Sequence, residues 1–328
     1  MNLDYFPRAL VMALASYFFA QTACNCAAGG AAAWLAARAR RWPARRAARR
    51  LWLYRMLPWG TALALWAWFC LPGYLGWEPR IREHTSAVAL LAAVAGLAWL
   101  VAPLARAGRA LWQTGRLLRQ ARRCGRVLAL ESEATPVLQI PSHYPLLALA
   151  GSWRPRVLIS TGVMETLSGA ELRAAMRHEA AHRGARDNLK RLLWLGLPPA
   201  WPGGRGAREL EREWARQTEW AADDEAAGDE AGRLALAAAL LQLARLQQMA
   251  DKNIKIGGLP GLCFSLSGAG TRLSERVNRL LTPAAAASTP PGWNIAGAMA
   301  MGLACLAMGL AYLPLLHGFH AVMEALVR

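Results

Sequence analysis

The chain has 328 residues, 55% of them hydrophobic, and a formal net charge of +17. It is too long for one ordinary domain, and its charge is unevenly placed. Arg38 to Arg55 holds eight arginines and Arg106 to Arg126 seven, with no acidic residue in either, whereas residues 127–282 carry 19 basic and 17 acidic side chains. Direct nucleic-acid binding, the usual reading of a uniformly basic protein, is therefore not expected.

A bilayer core needs about 20 apolar residues of helix. Four stretches meet that length: Ala9 to Ala37, Met56 to Trp77, Thr85 to Ala105 and Trp293 to Leu315. The first has the basic start of a signal peptide. Its apolar run continues past any plausible cleavage point, so a retained span is expected. Gln21 and Asn25 on that span predict packing against other helices rather than lipid alone. The arginine-rich segments adjoin these runs, so they read as topology signals and as contacts for anionic lipid at the cytoplasmic face. The expected division is residues 1–106 as a three-helix membrane domain, 107–292 as a cytoplasmic domain, and 293–328 as a fourth span with a short tail. The six cysteines contain no CxxC pair, which removes a zinc ribbon or disulfide framework.

Leu111 to Arg126 reads as a basic amphipathic helix leaving the membrane. Val137 to Ile140 and Val157 to Ser160 read as short strands. Ser168 followed by Glu171 is a capping box, predicting a helix from Gly169 to about Arg183. Leu192 to Trp201 is apolar but broken by Pro198 and Pro199, and is expected to dip into the membrane surface. Further helices are expected from Arg208 to Ala227, on to about Met249, and from Leu273 to Leu281. Asp251 to Gly270 reads as loop and Pro283 to Gly292 as linker.

The chemistry lies on the capped helix. His178-Glu179-Ala180-Ala181-His182 is an HExxH motif. Its i, i+4 spacing puts both imidazoles on one helix face, where they can share one ion. Zinc lowers the pKa of a water it binds towards about 7, and Glu179, beside the first ligand, is placed to act as general base. The alternative is a surface helix with two solvated histidines. A catalytic zinc needs a third protein ligand. Asn188 stands where a metzincin would place a histidine, so that class is excluded. A carboxylate from a later helix is the remaining plan, with Glu219 as ligand and Asp223, one turn on, as hydrogen-bond partner of a ligating imidazole. Glu209, Glu211, Glu213, Asp224 and Glu225 lie nearby, so composition alone leaves that choice open.

The motif set from about Pro136 to Leu281 resembles the BlaR/MecR family of antirepressor-type integral-membrane metallopeptidases. The matching elements are Arg154-Pro155 through Ser160, Glu171-Leu172, the HExxH with Asp187 five residues after its second histidine, the E-x-x-x-D of Glu219 to Asp223, and Arg276-Val277-Asn278-Arg279-Leu280-Leu281. The resemblance implies an α-helical membrane protein of four transmembrane helices, with an α+β thermolysin-like (gluzincin) domain inserted between spans three and four. It implies one Zn2+ per chain held by His178, His182 and Glu219, with Asp223 and Asp187 supporting the ligands. It implies a bacterial-type inner-membrane location with the protease domain cytoplasmic. A protein substrate is implied, of the transcriptional-repressor kind, cut at one site, and a homo-oligomer is compatible. Ala148-Leu149-Ala150-Gly151 would be the sheet edge that receives substrate, with a plain buried strand as the alternative. Arg276 would contact the developing oxyanion or serve as a structural ion pair. The family's sensor members carry a penicillin-binding domain after span four; with about a dozen residues beyond Leu315, neither such a domain nor direct beta-lactam sensing is expected here. Two other readings stand beside this one: an HtpX-like quality-control protease, and a catalytically idle membrane scaffold. Gly270, where HtpX-like members place the histidine of a His-Pro pair, disfavours the quality-control reading.

Overall fold

The computed structural model describes residues 2–77, 83–128, 137–198, 204–249, 263–265, 273–282, 317–318 and 321. The chain opens with a two-residue strand, β1 (Asn2–Leu3), and helix α1 (Tyr5–Ala39). Helix α2 (Ala44–Leu65) passes through a π-helical turn, Trp66–Cys70, into α3 (Leu71–Trp77), and β2 (Glu83–His84) pairs back on β1. Helix α4 (Ala87–Cys124) is followed by β3 (Arg126–Leu128), β4 (Val137–Ile140), β5 (Leu147–Ala150) and β6 (Arg156–Ser160). Six helices and one strand follow: α5 (Thr161–Thr166), α6 (Gly169–Ala185), α7 (Asp187–Gly196), α8 (Arg205–Ala227), α9 (Glu230–Met249), β7 (Cys263–Ser265) and α10 (Leu273–Leu281).

This architecture corrects the expected four-span protein with a thermolysin-like domain. Among the described residues only α1 and α4 are long and apolar enough to cross a membrane. The expected second span is the far end of α2 and its continuation. Helix α2 carries five arginines before Met56 and gives way to the π turn after Leu65, so α2 is not itself a uniformly apolar helix of spanning length. The expected fourth span and the 283–292 linker lie outside the described residues. The rest is mostly helical around one small sheet.

Helix α4 also corrects the reading of two separate helices. Its 38 residues run unbroken from a Ser86 cap, whose hydroxyl accepts from the Ala89 amide at 3.2 Å, to Gly125. Pro103 is tolerated within it, and no stronger breaker separates the apolar half from the basic half. The rise of about 1.5 Å per residue lets such a helix outrun a bilayer core and carry its arginines beyond it. It crosses α1 closely at Gly96, where an added Cβ would run into the Leu14 carbonyl; Ala15, Ala92 and Ala93 are the buried neighbours. Small residues at such a crossing allow the close approach on which membrane helices depend. Gln21 and Asn25 are buried, linked by a 3.2 Å hydrogen bond along α1.

The sheet has the order β3-β4-β6-β5-β7, with β4 and β6 parallel and the other neighbours antiparallel. Its core face, including Val137, Leu147, Leu149, Val157 and Ile159, packs on Ala174, Ala175 and Met176 of α6, on Leu236 and Leu240 of α9, and on Leu280 of α10. Leu192 and Trp194, expected at the membrane surface, instead sit in α7; Trp194 stacks on Trp214 of α8 with ring centroids 4.9 Å apart.

Candidate metal centre

The capping box expected at Ser168 is present in both directions: Ser168 Oγ accepts from the Glu171 amide at 3.4 Å, and Glu171 Oε2 accepts from the Ser168 amide at 2.7 Å. It starts α6 in the register that turns His178, Glu179 and His182 inward, and all three are fully buried. The two imidazoles are nearly perpendicular, with Nε2 atoms 3.1 Å apart. From α8, Glu219 places Oε2 3.6 Å from His178 Nε2 and Oε1 3.8 Å from His182 Nε2. One donor atom from each of these three residues lies within 4.8 Å of the other two.

The far side of each ring meets a carboxylate. His182 Nδ1 hydrogen-bonds Asp187 Oδ2 at 2.9 Å. His178 Nδ1 lies 3.1 Å from Asp223 Oδ1, a close ionic contact whose angle is poor for a hydrogen bond. Asp187 reaches His182 because α6 stops at Arg186, a non-glycine residue with φ of 55°. That left-handed residue, uncommon for a long side chain, turns the chain so that α7 begins beside the helix just ended. Lys190, one turn into α7, donates to Asp187 Oδ1 at 3.0 Å.

Arg276 of α10 is also buried. Its Nε donates to Asp223 Oδ2 at 2.9 Å, its Nη2 to Asp223 Oδ1 at 2.5 Å, and its Nη1 lies 3.1 Å from Glu219 Oε2. Of the two roles open to Arg276, this geometry is the ion pair: the guanidinium holds two carboxylates of the centre, leaving little of it to meet a reacting oxygen. The assigned substrate edge is corrected as well. Strand β5 is buried and paired on both sides, with β6 on one and β7 on the other, in the register Ala148↔Ser265, Leu149↔Phe264 and Ala150↔Cys263. The stretch expected to be loop thus supplies a strand that occupies the edge.

Asn188, which had served only to exclude a metzincin, has a role that the sequence did not disclose. Its Nδ2 donates to the carbonyls of Leu149 at 2.9 Å and Gly151 at 2.7 Å, tying α7 to the end of β5. Adjacency to Asp187 is the one signal that could have drawn attention to it.

The electrostatics follow from burial. Desolvation raises Glu179 to about 7, opposed by the charges of His178 and His182 and by the Leu149 backbone amide. Burial works against a protonated His178, but Asp223 and Glu219 outweigh it and push the ring up to about 9. Burial also opposes ionisation of Glu219 and Asp223, yet Arg276 and His178 hold both below the ordinary carboxylate range. Three buried carboxylates, Glu179, Glu219 and Asp223, thus face one buried arginine, while Asp187 is met by Lys190. Such an excess of acceptors suits a cation, and among the described residues neither carboxylate oxygen of Glu179 has a side-chain hydrogen-bond partner. Two imidazoles, a carboxylate and a supporting carboxylate behind each ring form a donor set suited to zinc.

No protein-family model and no curated protein matches the chain.

Proposed function

We propose that the protein is a zinc-dependent endopeptidase at a membrane, with His178, His182 and Glu219 holding one ion and Glu179 as general base. The observation that carries this reading is the convergence of three donor atoms within 4.8 Å of one another beside a buried carboxylate raised to about 7. When bound, zinc would supply Lewis-acid chemistry and a nucleophile usable at neutral pH. Glu179 has the character a general base needs, since a proton is most easily taken and returned by a group whose pKa lies near the working pH. Asp187, hydrogen-bonded to His182 Nδ1, directs the Nε2 lone pair of that ring inward, and Asp223 stands against His178 Nδ1 to favour the same orientation. Arg276 positions Glu219 and Asp223 by holding both.

The membrane reading rests on α1 and α4, whose length and composition suit a bilayer. The resemblance to BlaR/MecR proteins supports site-specific cleavage of a protein partner, a transcriptional repressor being the kind it implies.

The test is metal content of the detergent-purified chain beside His178→Ala and Glu219→Ala, followed by peptide hydrolysis with Glu179→Gln. One zinc per wild-type chain, lost in both ligand variants, with hydrolysis lost but zinc retained in Glu179→Gln, is expected. A wild-type chain that takes up no zinc from a zinc-containing buffer would overturn the reading.

A further inference from the structure

Helix α8 carries Glu219 in its second half, but its first turn lies against α1 and α2. There the three helices enclose a cleft of about 80 Å³, lined among others by Asn25, Gly29, Arg55, Pro58, Gly206 and Ala207. Its walls are mainly small and apolar. Gly206 seats α8 on α1, since an added Cβ would come within 3.3 Å of Ala32 and Ala33.

Two independent features give this cleft a positive interior. The first is Arg55, only 7% exposed. One Nη2 donates to the Pro198 carbonyl and the guanidinium lies 5.7 Å from the centre of the Trp194 ring. No carboxylate among the described residues comes within ion-pair distance of it. Glu211 acts on it only at longer range, and Arg106 adds charge of the same sign. A buried cation without a contacting counter-ion is costly, and its unused N–H groups call for an acceptor. The second is the start of α8. Its N-cap is Gly204, which has no side chain to receive the first-turn amides of a 23-residue helix. Those amides and the positive end of the helix dipole form a ready anion site.

We propose that this cleft binds the phosphate of an anionic membrane phospholipid, with the Arg55 guanidinium and the α8 N-terminus as its donors. A lipid is favoured over a soluble phosphate because the cleft is bounded by α1, a candidate membrane helix, and is walled by apolar residues that suit a glycerol and the start of its acyl chains. Two arginine-rich segments would concentrate such lipids beside it. Occupancy would fix the seating of the helix that supplies Glu219. The proposal rests on the membrane placement of α1 and is independent of the peptidase reading.

The test uses the full chain in detergent, with phosphatidylglycerol or phosphatidylcholine added and retained lipid counted by native mass spectrometry. The wild type should retain phosphatidylglycerol about tenfold better than phosphatidylcholine, a difference of about 1.4 kcal/mol. Arg55→Gln should remove that preference. Ala28 also lines the cleft, and Ala28→Leu, which would fill it while leaving Arg55 and its Pro198 contact in place, should do the same with helicity unchanged by circular dichroism. Arg122→Gln, an exposed arginine of α4, should keep it. Equal retention of the two lipids by the wild type, or wild-type preference in both Arg55→Gln and Ala28→Leu, would overturn the proposal. So would thermal stabilisation by inorganic phosphate equal to that by phosphatidylglycerol.

Discussion

Two neighbouring carboxylates on α8 meet two arginines of α10 in opposite surroundings. Asp223 is 1% exposed and is held by the buried Arg276; Asp224 is half exposed and is held by Arg279, itself a third exposed, at 2.6 Å. The residue types match and the separations are similar, so the difference lies in the solvent. Water screens the outer pair and rewards it little. The inner pair has lost its hydration and depends on its partners, so removal of either one leaves a bare buried charge. The same acidic helix therefore has a tolerant face and an intolerant one, and the intolerant face is the one that holds Glu219.

The comparison can be sharpened experimentally. Glu179 is the extreme of the inner face, buried with no side-chain hydrogen bond to either oxygen among the described residues. On the peptidase reading, Glu179→Gln should cut peptide turnover about 10²–10⁴-fold while leaving bound zinc unchanged, as seen in steady-state kinetics and metal analysis. In the metal-free protein the same substitution should raise stability. Its carboxyl goes from 4.5 to about 7 on folding, so ionisation costs folding energy increasingly as pH climbs from 4.5 through 7. The gain should be small at pH 4 and reach up to about 3 kcal/mol at pH 8, read from denaturant unfolding at both values. No such pH-dependent gain would show that Glu179 is less buried than the structure places it.

Arg276→Leu should destabilise the protein by about 3–5 kcal/mol, because Asp223 and Glu219 both lose their counter-ion. Asp187→Ala should weaken zinc binding about 10- to 100-fold by freeing the His182 ring, with the fold retained. Metal uptake should also weaken as pH falls. The proton on metal-free His178 persists up to about 9 and must leave for the ring to ligate, so each unit below that costs about tenfold in apparent affinity. Competition with a chromophoric chelator at pH 6 and pH 8 would measure it. The smallest effect belongs to the outer pair: Arg279→Leu should cost under about 1 kcal/mol. Comparable losses from Arg276→Leu and Arg279→Leu would break the comparison outright.

The parts of the candidate site legible from residue spacing were the local ones. His178 and His182 face the same way because they are one helical turn apart, and the Ser168–Glu171 box sets where that helix begins. Glu219 and Asp223 share a face for the same reason, although acidic neighbours on α8 left the choice of ligand to a resemblance. The candidate membrane helices were legible in part: α1 and α4 carry the expected apolar runs, but the continuity of α4 into its basic half was not foreseen, because no residue there either demands or forbids a break. Spacing was silent where the partner is distant in the chain. Nothing near Cys263 announces that it will pair with Ala150, and nothing near Arg276 says which carboxylates it will meet.

The sequence by itself determined the helix registers, the donor set on α6, the paired carboxylates on α8 and the placement of basic charge beside apolar runs. These follow from periodicity and capping within a few residues of each position. Only the tertiary structure decided that Arg276 holds Asp223 and Glu219, that β7 covers the edge of β5, that Asn188 clasps Leu149 and Gly151, and that Arg55 is buried beside the start of α8. Each of these depends on burial and on contact between segments far apart in the chain. The free energy of a charge or an open strand edge is set by the solvent it loses and the partner it gains, and neither is written in its own neighbourhood.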